Sequence, residues 1–193
     1  ARGATWQVLG QQVLMGKLNI PVIPPEELAK LELSEYARPR VAQSQQLAPY
    51  GLPSNLDAWD GYPAARERLF AMFSAHATNP ISLAGDTHNG WAFNLTNQKG
   101  EAVGVEWGTP GVSSPGLENY VPLPPEQMQA LLKGASPELV ACDTSQRGWT
   151  QVTLTPEAAT AKWQFVSTVV EPTYVSVHGD VMAVAAGRRA HST

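Results

Sequence analysis

The run Pro80-Ile81-Ser82-Leu83-Ala84, followed at once by Gly85-Asp86-Thr87-His88-Asn89-Gly90-Trp91, constrains this chain more than any other stretch. An apolar segment of strand length that breaks at Gly85 and resumes at Trp91 predicts a buried strand, a tight turn and a second strand. It also sets a carboxylate and an imidazole on the turn leaving the first strand, where open α/β sheets keep their chemistry. Asp86 and His88 therefore form a candidate metal corner. Two ligands leave the coordination sphere of a catalytic ion open, so the function depends on what else the chain supplies.

The flanking segments supply the fold class. Residues 5–15 carry Trp6, Val8, Leu9, Val13 and Leu14 at mostly helical spacing and predict a short amphipathic helix. Pro25 opens a second, shorter helix over residues 26–36. Gln, Pro and Gly dominate residues 37–55, which read as a long surface connection. Pro63 is placed to start a helix reaching His76, with Leu69, Phe70, Met72 and Phe73 on its apolar face. Asp60 lies just before that helix, where an Asp is most often an N-cap. Past the corner, residues 91–96 and 102–107 predict a hairpin turning at 97–100, and a Gly- and Pro-rich loop follows over 108–116. A helix over 126–133 stops at Gly134. Apolar or alternating runs at 139–142, 149–154, 161–170 and 173–177 make the last third β. The whole reads as an α/β (α+β) chain with a mostly antiparallel C-terminal sheet, organised as 1–187 plus a tail over 188–193.

Composition excludes some classes. With 193 residues, 43% hydrophobic and 16% charged, the chain is of globular type and large enough to bury roughly 70% of its unfolded surface. A net charge of -4 argues against a general nucleic-acid or anionic-membrane surface, both of which require a basic face. Cys142 is the only cysteine, so no intrachain disulfide forms, and on an apolar strand it reads as a small core residue. No run of about 18 apolar residues is present to span a membrane. The start at Ala1, without Met or a signal segment, reads as a processed or truncated start. Ser113 and Ser114 lie in the Gly/Pro loop and not on a nucleophile elbow, and His76, His178 and His191 have no ligand spacing.

Four blocks in order carry a resemblance: Trp6-Gln7-Val8-Leu9-Gly10-Gln11-Gln12-Val13; Trp59-Asp60-Gly61-Tyr62-Pro63-Ala64-Ala65-Arg66; Gly85-Asp86-Thr87-His88; and Gly104 through Pro115, with Glu106-Trp107-Gly108 at its centre. Together with Arg147-Gly148-Trp149, Thr155-Pro156-Glu157 and Trp163-Gln164-Phe165-Val166, they resemble the PhoD-like alkaline phosphatase family, within the calcineurin-like metallophosphoesterases. The match looks like the C-terminal half of a family catalytic domain. The Asp-rich motifs of the family's N-terminal half have no counterpart in this chain.

The resemblance implies part of a β-sandwich flanked by helices, with metals at the strand ends, and metal-assisted hydrolysis of a phosphoester by an activated water. It implies Asp86, His88 and Asp60 as metal ligands, His88 also as a catalytic or phosphate-contacting group, and Asn89 as a substrate-binding residue or a partner of His88. Many relatives read Gly-His-x-His where this chain reads Gly-Asp-x-His. A carboxylate hardens the site and favours Ca²⁺ or Fe³⁺ over Zn²⁺. This agrees with the mixed Ca²⁺ and Fe³⁺ centre that the resemblance implies. It also implies a periplasmic or secreted protein whose partners are a phosphoester and the missing N-terminal half. The other reading is a non-catalytic fragment or truncated homologue that keeps the scaffold without a complete metal cluster.

Overall fold

The structure, a computed structural model, describes residues 3–192. Its elements run β1 (Gln7–Gly10), α1 (Pro25–Leu28), α2 (Ala37–Leu47), α3 (Pro63–His76), β2 (Pro80–Ala84), β3 (Gly90–Thr96), β4 (Ala102–Gly108), α4 (Pro125–Ala135), β5 (Leu139–Asp143), β6 (Arg147–Leu154), β7 (Ala158–Val166) and β8 (Ser176–Ala185). Two sheets result, a five-stranded one in the order β1-β2-β4-β3-β5 and a three-stranded one in the order β6-β7-β8. The α/β class is as expected, and the C-terminal sheet is antiparallel throughout.

The topology of the larger sheet explains the corner. β1, β2 and β4 run parallel, whereas β3 is antiparallel to both β4 and β5. β2 and β3 are consecutive in the chain, yet β4 lies between them, so the turn at 85–89 has to cross the end of β4. The hairpin that returns the chain as β4 is closed by Asn97, whose Oδ1 accepts the N–H groups of Lys99 and Glu101, and by Gly100 at φ 78°. Where β4 ends, Thr109 N–H donates to Ala84 O at 2.9 Å. The corner and the 108–116 loop thus leave the sheet side by side, at the C-terminal ends of parallel strands.

Both faces of the larger sheet are covered, which is why β2 to β4 read as nearly continuous apolar runs. Side chains alternate across a strand, and in β3 Trp91, Phe93 and Leu95 face a core with Phe70 of α3 and Met128 and Leu132 of α4. Ala92 points the other way with Ile81, Val105 and Trp107, onto Ala161, Trp163 and Phe165 of β7 and Val184 of β8. The layers are helices, five-stranded sheet, three-stranded sheet. Cys142 is buried in the first core, and burial pushes its thiol up to about 12.

Four expectations are corrected. Residues 5–15 hold the strand β1 and an extended connector in place of a helix: Gln7 to Gly10 pair with Pro80 to Leu83, and this tertiary pairing overrides a short helical spacing. The helix expected over 26–36 shrinks to the single turn of α1, which buries no residue. The surface connection over 37–55 contains α2, which buries only Ala37 and Val41. A helix so polar around its circumference leaves little periodicity to detect. The C-terminal strands shift as well, β7 ending at Val166 and β8 spanning Ser176–Ala185.

Candidate functional site

The corner is held in an unusual backbone conformation. Asp86 and His88 have φ of 62° and 61°, the left-handed region that side chains other than Gly enter at a cost of about 1 kcal/mol or more. Neighbouring groups oppose that cost: Trp91 Nε1 donates to Thr87 Oγ1 at 2.6 Å, and Gly85 N–H donates to Gln12 O at 2.9 Å. Gln12 Nε2 donates to Asp86 Oδ2 at 3.2 Å, and the rest of this carboxylate faces solvent.

His88 is fixed from two sides. Its Nδ1 lies 2.8 Å from Pro115 O. A carbonyl only accepts, so Nδ1 carries the hydrogen and Nε2 of the neutral ring keeps its lone pair. The backbone carbonyl of His88 accepts from Arg147 Nη1 at 2.9 Å, and Arg147 Nη2 pairs with Glu118 Oε1. Burial pushes the Glu118 carboxyl up, but the Arg147 guanidinium and the Gly116 N–H outweigh it and hold the group below the usual carboxylate range.

Asn89 is buried and works on the same segment, its Oδ1 accepting Leu117 N–H at 3.0 Å. Its Nδ2 has no partner among the described residues. A Cβ at position 116 would overlap Asn89 Nδ2 and Arg147 Nη2, so only Gly116 lets these groups close in. The 115–118 segment is thereby clamped against the corner from the first and second sheets alike.

Asp60 does not cap α3: its N-cap is Tyr62, with no side-chain capping bond. Asp60 sits in the 3-10 turn Trp59–Gly61, and its Oδ2 accepts Leu18 N–H at 3.1 Å. Burial pushes its carboxyl up, with the Leu18 N–H and the Arg66 charge pulling it back. A cavity of about 460 Å³ brings Asp60 to the same walls as Asp86, His88 and Asn89. Among the described residues, no three of His, Cys, Asp and Glu group closely enough to hold a metal ion.

Sequence reading missed the buried polar groups behind the corner. Glu106, on β4 and fully buried, accepts from Met15 N at 2.9 Å, Gly16 N at 2.8 Å and Ser82 Oγ at 2.8 Å. Gln11 Nε2 reaches the same carboxylate at 3.3 Å, while Gln11 Oε1 accepts the Trp59 indole N–H. Burial pushes the Glu106 carboxyl up, against the pull of the Gly16 and Met15 N–H groups and the Ser82 hydroxyl. Arg66 on α3, also buried, donates to Met15 O at 2.7 Å, Thr96 O at 3.1 Å and Glu138 Oε2 at 2.7 Å. The available signal was a charged residue inside an otherwise apolar strand, Glu106 between Val105 and Trp107.

The fold and the corner define a class, an α/β sandwich covered by helices, with its polar groups at the C-terminal ends of parallel strands. The family model described as PhoD-like phosphatase matches residues 1–163, and the chain belongs to that family. Alkaline phosphatase D of Bacillus subtilis (strain 168) is 29% identical over 123 residues, covering 61% of this chain and 20% of that protein. The solved structure of PhoD superposes with a TM-score of 0.63 at 22% identity, over 95% of this chain and 30% of that one. At that identity the likeness shows the fold. The chain thus spans under a third of the length of either relative.

Proposed function

We propose that this chain supplies the last metal motif of a phosphoester hydrolase of the alkaline phosphatase or phosphodiesterase kind, with Asp86 and His88 as ligands. The observation that carries the reading is the corner itself: a strained turn that presents an exposed carboxylate beside an imidazole whose Nδ1–H is fixed on Pro115 O and whose Nε2 is free. A hard oxygen with one imidazole nitrogen suits Ca²⁺ or Fe³⁺. Bound there, such cations would neutralise phosphoryl oxygens and lower the pKa of a water so that hydroxide exists at working pH.

In this reading His88 offers Nε2 to the metal or to the phosphoryl group, and Asp86 supplies a negative oxygen held by Gln12. Asn89 steadies the segment that orients His88 and keeps Nδ2 for a phosphoryl oxygen. Asp60 lines the same cavity. The rest of the ligand set comes from the remainder of a longer family domain, the natural partner of this chain, working in the periplasm or outside the cell. Asp60, Asp86 and His88 do not gather into a three-residue group, which favours a non-catalytic scaffold as the second reading.

The decisive experiment uses the natural protein that carries these residues, assayed on a chromogenic phosphomonoester and a diester with Ca²⁺ and Fe³⁺. Asp86→Asn is expected to lower turnover by at least about 100-fold, the upper end of what losing an outer-shell partner of a metal costs, with an unchanged circular dichroism spectrum. Unchanged turnover removes Asp86 from the site. The 193 residues alone are expected to show little or no turnover, and strong metal-dependent activity from them would contradict an incomplete ligand set.

A further inference from the structure

Asp60 and Asp86 line one cavity but come from separate segments, the 3-10 turn Trp59–Gly61 and the corner. Among the described residues no hydrogen bond joins those two segments directly. What joins them is the connector that leaves β1, residues 11–18, which grips both. On the corner side, Gly85 N–H donates to Gln12 O at 2.9 Å and Gln12 Nε2 donates to Asp86 Oδ2 at 3.2 Å. On the other side, Trp59 N–H donates to Leu14 O at 3.2 Å, Leu18 N–H donates to Asp60 Oδ2 at 3.1 Å, and the Trp59 indole donates to Gln11 Oε1. Each carboxylate thus has an oxygen held by the same short stretch of chain.

Two adjacent glutamines divide this work. Gln11 prolongs the pairing of β1 with β2, its N–H donating to Leu83 O at 3.0 Å, and its side chain is half-buried whereas that of Gln12 is exposed. The neighbours fix how the Gln11 amide is turned. An indole N–H only donates and so faces Oε1, which leaves Nε2 to donate to Ser82 Oγ at 2.9 Å and Glu106 Oε1 at 3.3 Å. Ser82 on β2 and Glu106 on β4 are both 0% exposed, so the Asp60 turn is referenced to the strands whose ends carry the corner. Gln12 reaches the corner itself, since the hydrogen bond its side chain makes is to Asp86. Carboxylates already held in the geometry a cation needs bind it without the cost of ordering them, and a misplacement of about 1 Å can cost about 100-fold in rate.

We propose that Gln11 and Gln12 are positioning residues of this site, and that the connector they belong to sets the separation and orientation of the Asp60 and Asp86 carboxylates. The proposal rests on the phosphoester reading above, with both carboxylates meeting the cation, and adds to it what holds them in register.

The test uses the natural protein that carries these residues, with Gln11→Met and Gln12→Met, which keep the length of the side chain and remove its amide. Each is expected to raise the Ca²⁺ concentration for half-maximal turnover about 10-fold, the lower end of what losing an outer-shell partner costs, with turnover at saturating Ca²⁺ within about twofold of wild type. Gln12→Met, at an exposed position, is expected to keep the wild-type unfolding midpoint, which separates positioning from folding. Hydrogen exchange in excess chelator gives a readout that needs no metal. The Leu18 amide, which donates to Asp60, is expected to exchange about 10-fold faster in Gln11→Met, while the Gly85 amide keeps its rate. If Asp86→Asn abolishes turnover while both glutamine variants keep the wild-type Ca²⁺ dependence, Asp86 stands as a ligand and the positioning role is refuted. If Asp86→Asn is silent, the phosphoester reading falls, and this proposal with it. Loss of stability in Gln11→Met, with Gln12→Met unchanged in every respect, assigns the connector to the fold alone and overturns the proposal.

Discussion

At the scale of single residues, Arg147 does more for the corner than its distance in sequence suggests. It donates to the His88 carbonyl from one nitrogen and pairs with Glu118 through the other, so it fixes His88 and the segment carrying Pro115 at once. Arg147→Gln leaves the Glu118 carboxylate without its charge partner in a half-buried setting. Breaking such a pair is expected to cost about 3 kcal/mol, read as a lower midpoint in urea unfolding. Loss of stability alone would not identify a positioning role, so the ¹⁵N shifts of the His88 imidazole are the sharper readout. They are expected to move from one tautomer toward a mixture in Arg147→Gln and to be largely restored in Arg147→Lys; a pure Nδ1–H signature in both variants would mean that the hold on His88 runs through Pro115 alone. Asp86 and His88 were legible because a strand-length run ending in Gly-Asp-x-His is local. Arg147 was not, because its partners lie 59 and 29 residues away and no spacing rule connects them.

At the scale of elements, the connector after β1 is where sequence and structure diverge most, and Glu106 explains why. Residues 11–16 have no regular partner of their own, and a buried carboxylate on β4 takes the N–H groups of Met15 and Gly16, which a helix would have used internally. Gly16 passes so close to the sheet that a Cβ there would overlap the buried Phe93 ring. Glu106→Gln sets an amide NH₂ against donors on all sides, and the expected destabilisation is about 2–4 kcal/mol, from lost charge-assisted bonds and a donor left unsatisfied. Chemical denaturation measures it, and a cost under about 0.5 kcal/mol would show that the connector holds without this carboxylate. The same pairing explains the misread helix over residues 5–15. Trp6, Val8 and Leu9 fit a helical stripe about as well as a strand four residues long, and only the parallel register with β2 separates the two. The polar helix α2 went unread for the opposite reason, since packing only two residues leaves almost no pattern.

At the scale of the whole molecule, the α/β class, the order of elements from α3 onward and the antiparallel C-terminal sheet followed from periodicity and turn residues. How the layers close did not, because closure depends on side chains that meet across the chain. The last residues make the point. Arg189 and His191, read as part of a tail, are bound to the body: Arg189 Nη2 donates to Ala77 O at 2.7 Å, and His191 sits between Trp107 and Asn94. Trp107 Nε1 donates to His191 Nε2 at 2.8 Å while His191 Nδ1–H donates to Asn94 Oδ1 at 2.7 Å, so the ring is held neutral. A second proton on Nε2 would face the indole N–H, and burial pushes the group down to about 4. In the unfolded chain it titrates near 6.5. Between those values the unfolded chain binds a proton that the folded one refuses, so the free energy of unfolding falls as pH drops through this window. The contribution is complete above about pH 6.5 and lost below about pH 4, and its size is on the order of 3 kcal/mol. Carboxylates titrate at the acid end of the same range, so the measurement is the difference between the wild-type chain and His191→Gln, whose amide oxygen can still accept from Trp107. The wild type is expected to lose stability faster than the variant from pH 7 to pH 4; parallel curves would mean that His191 titrates as an exposed residue and that the C-terminal segment does not close the sandwich.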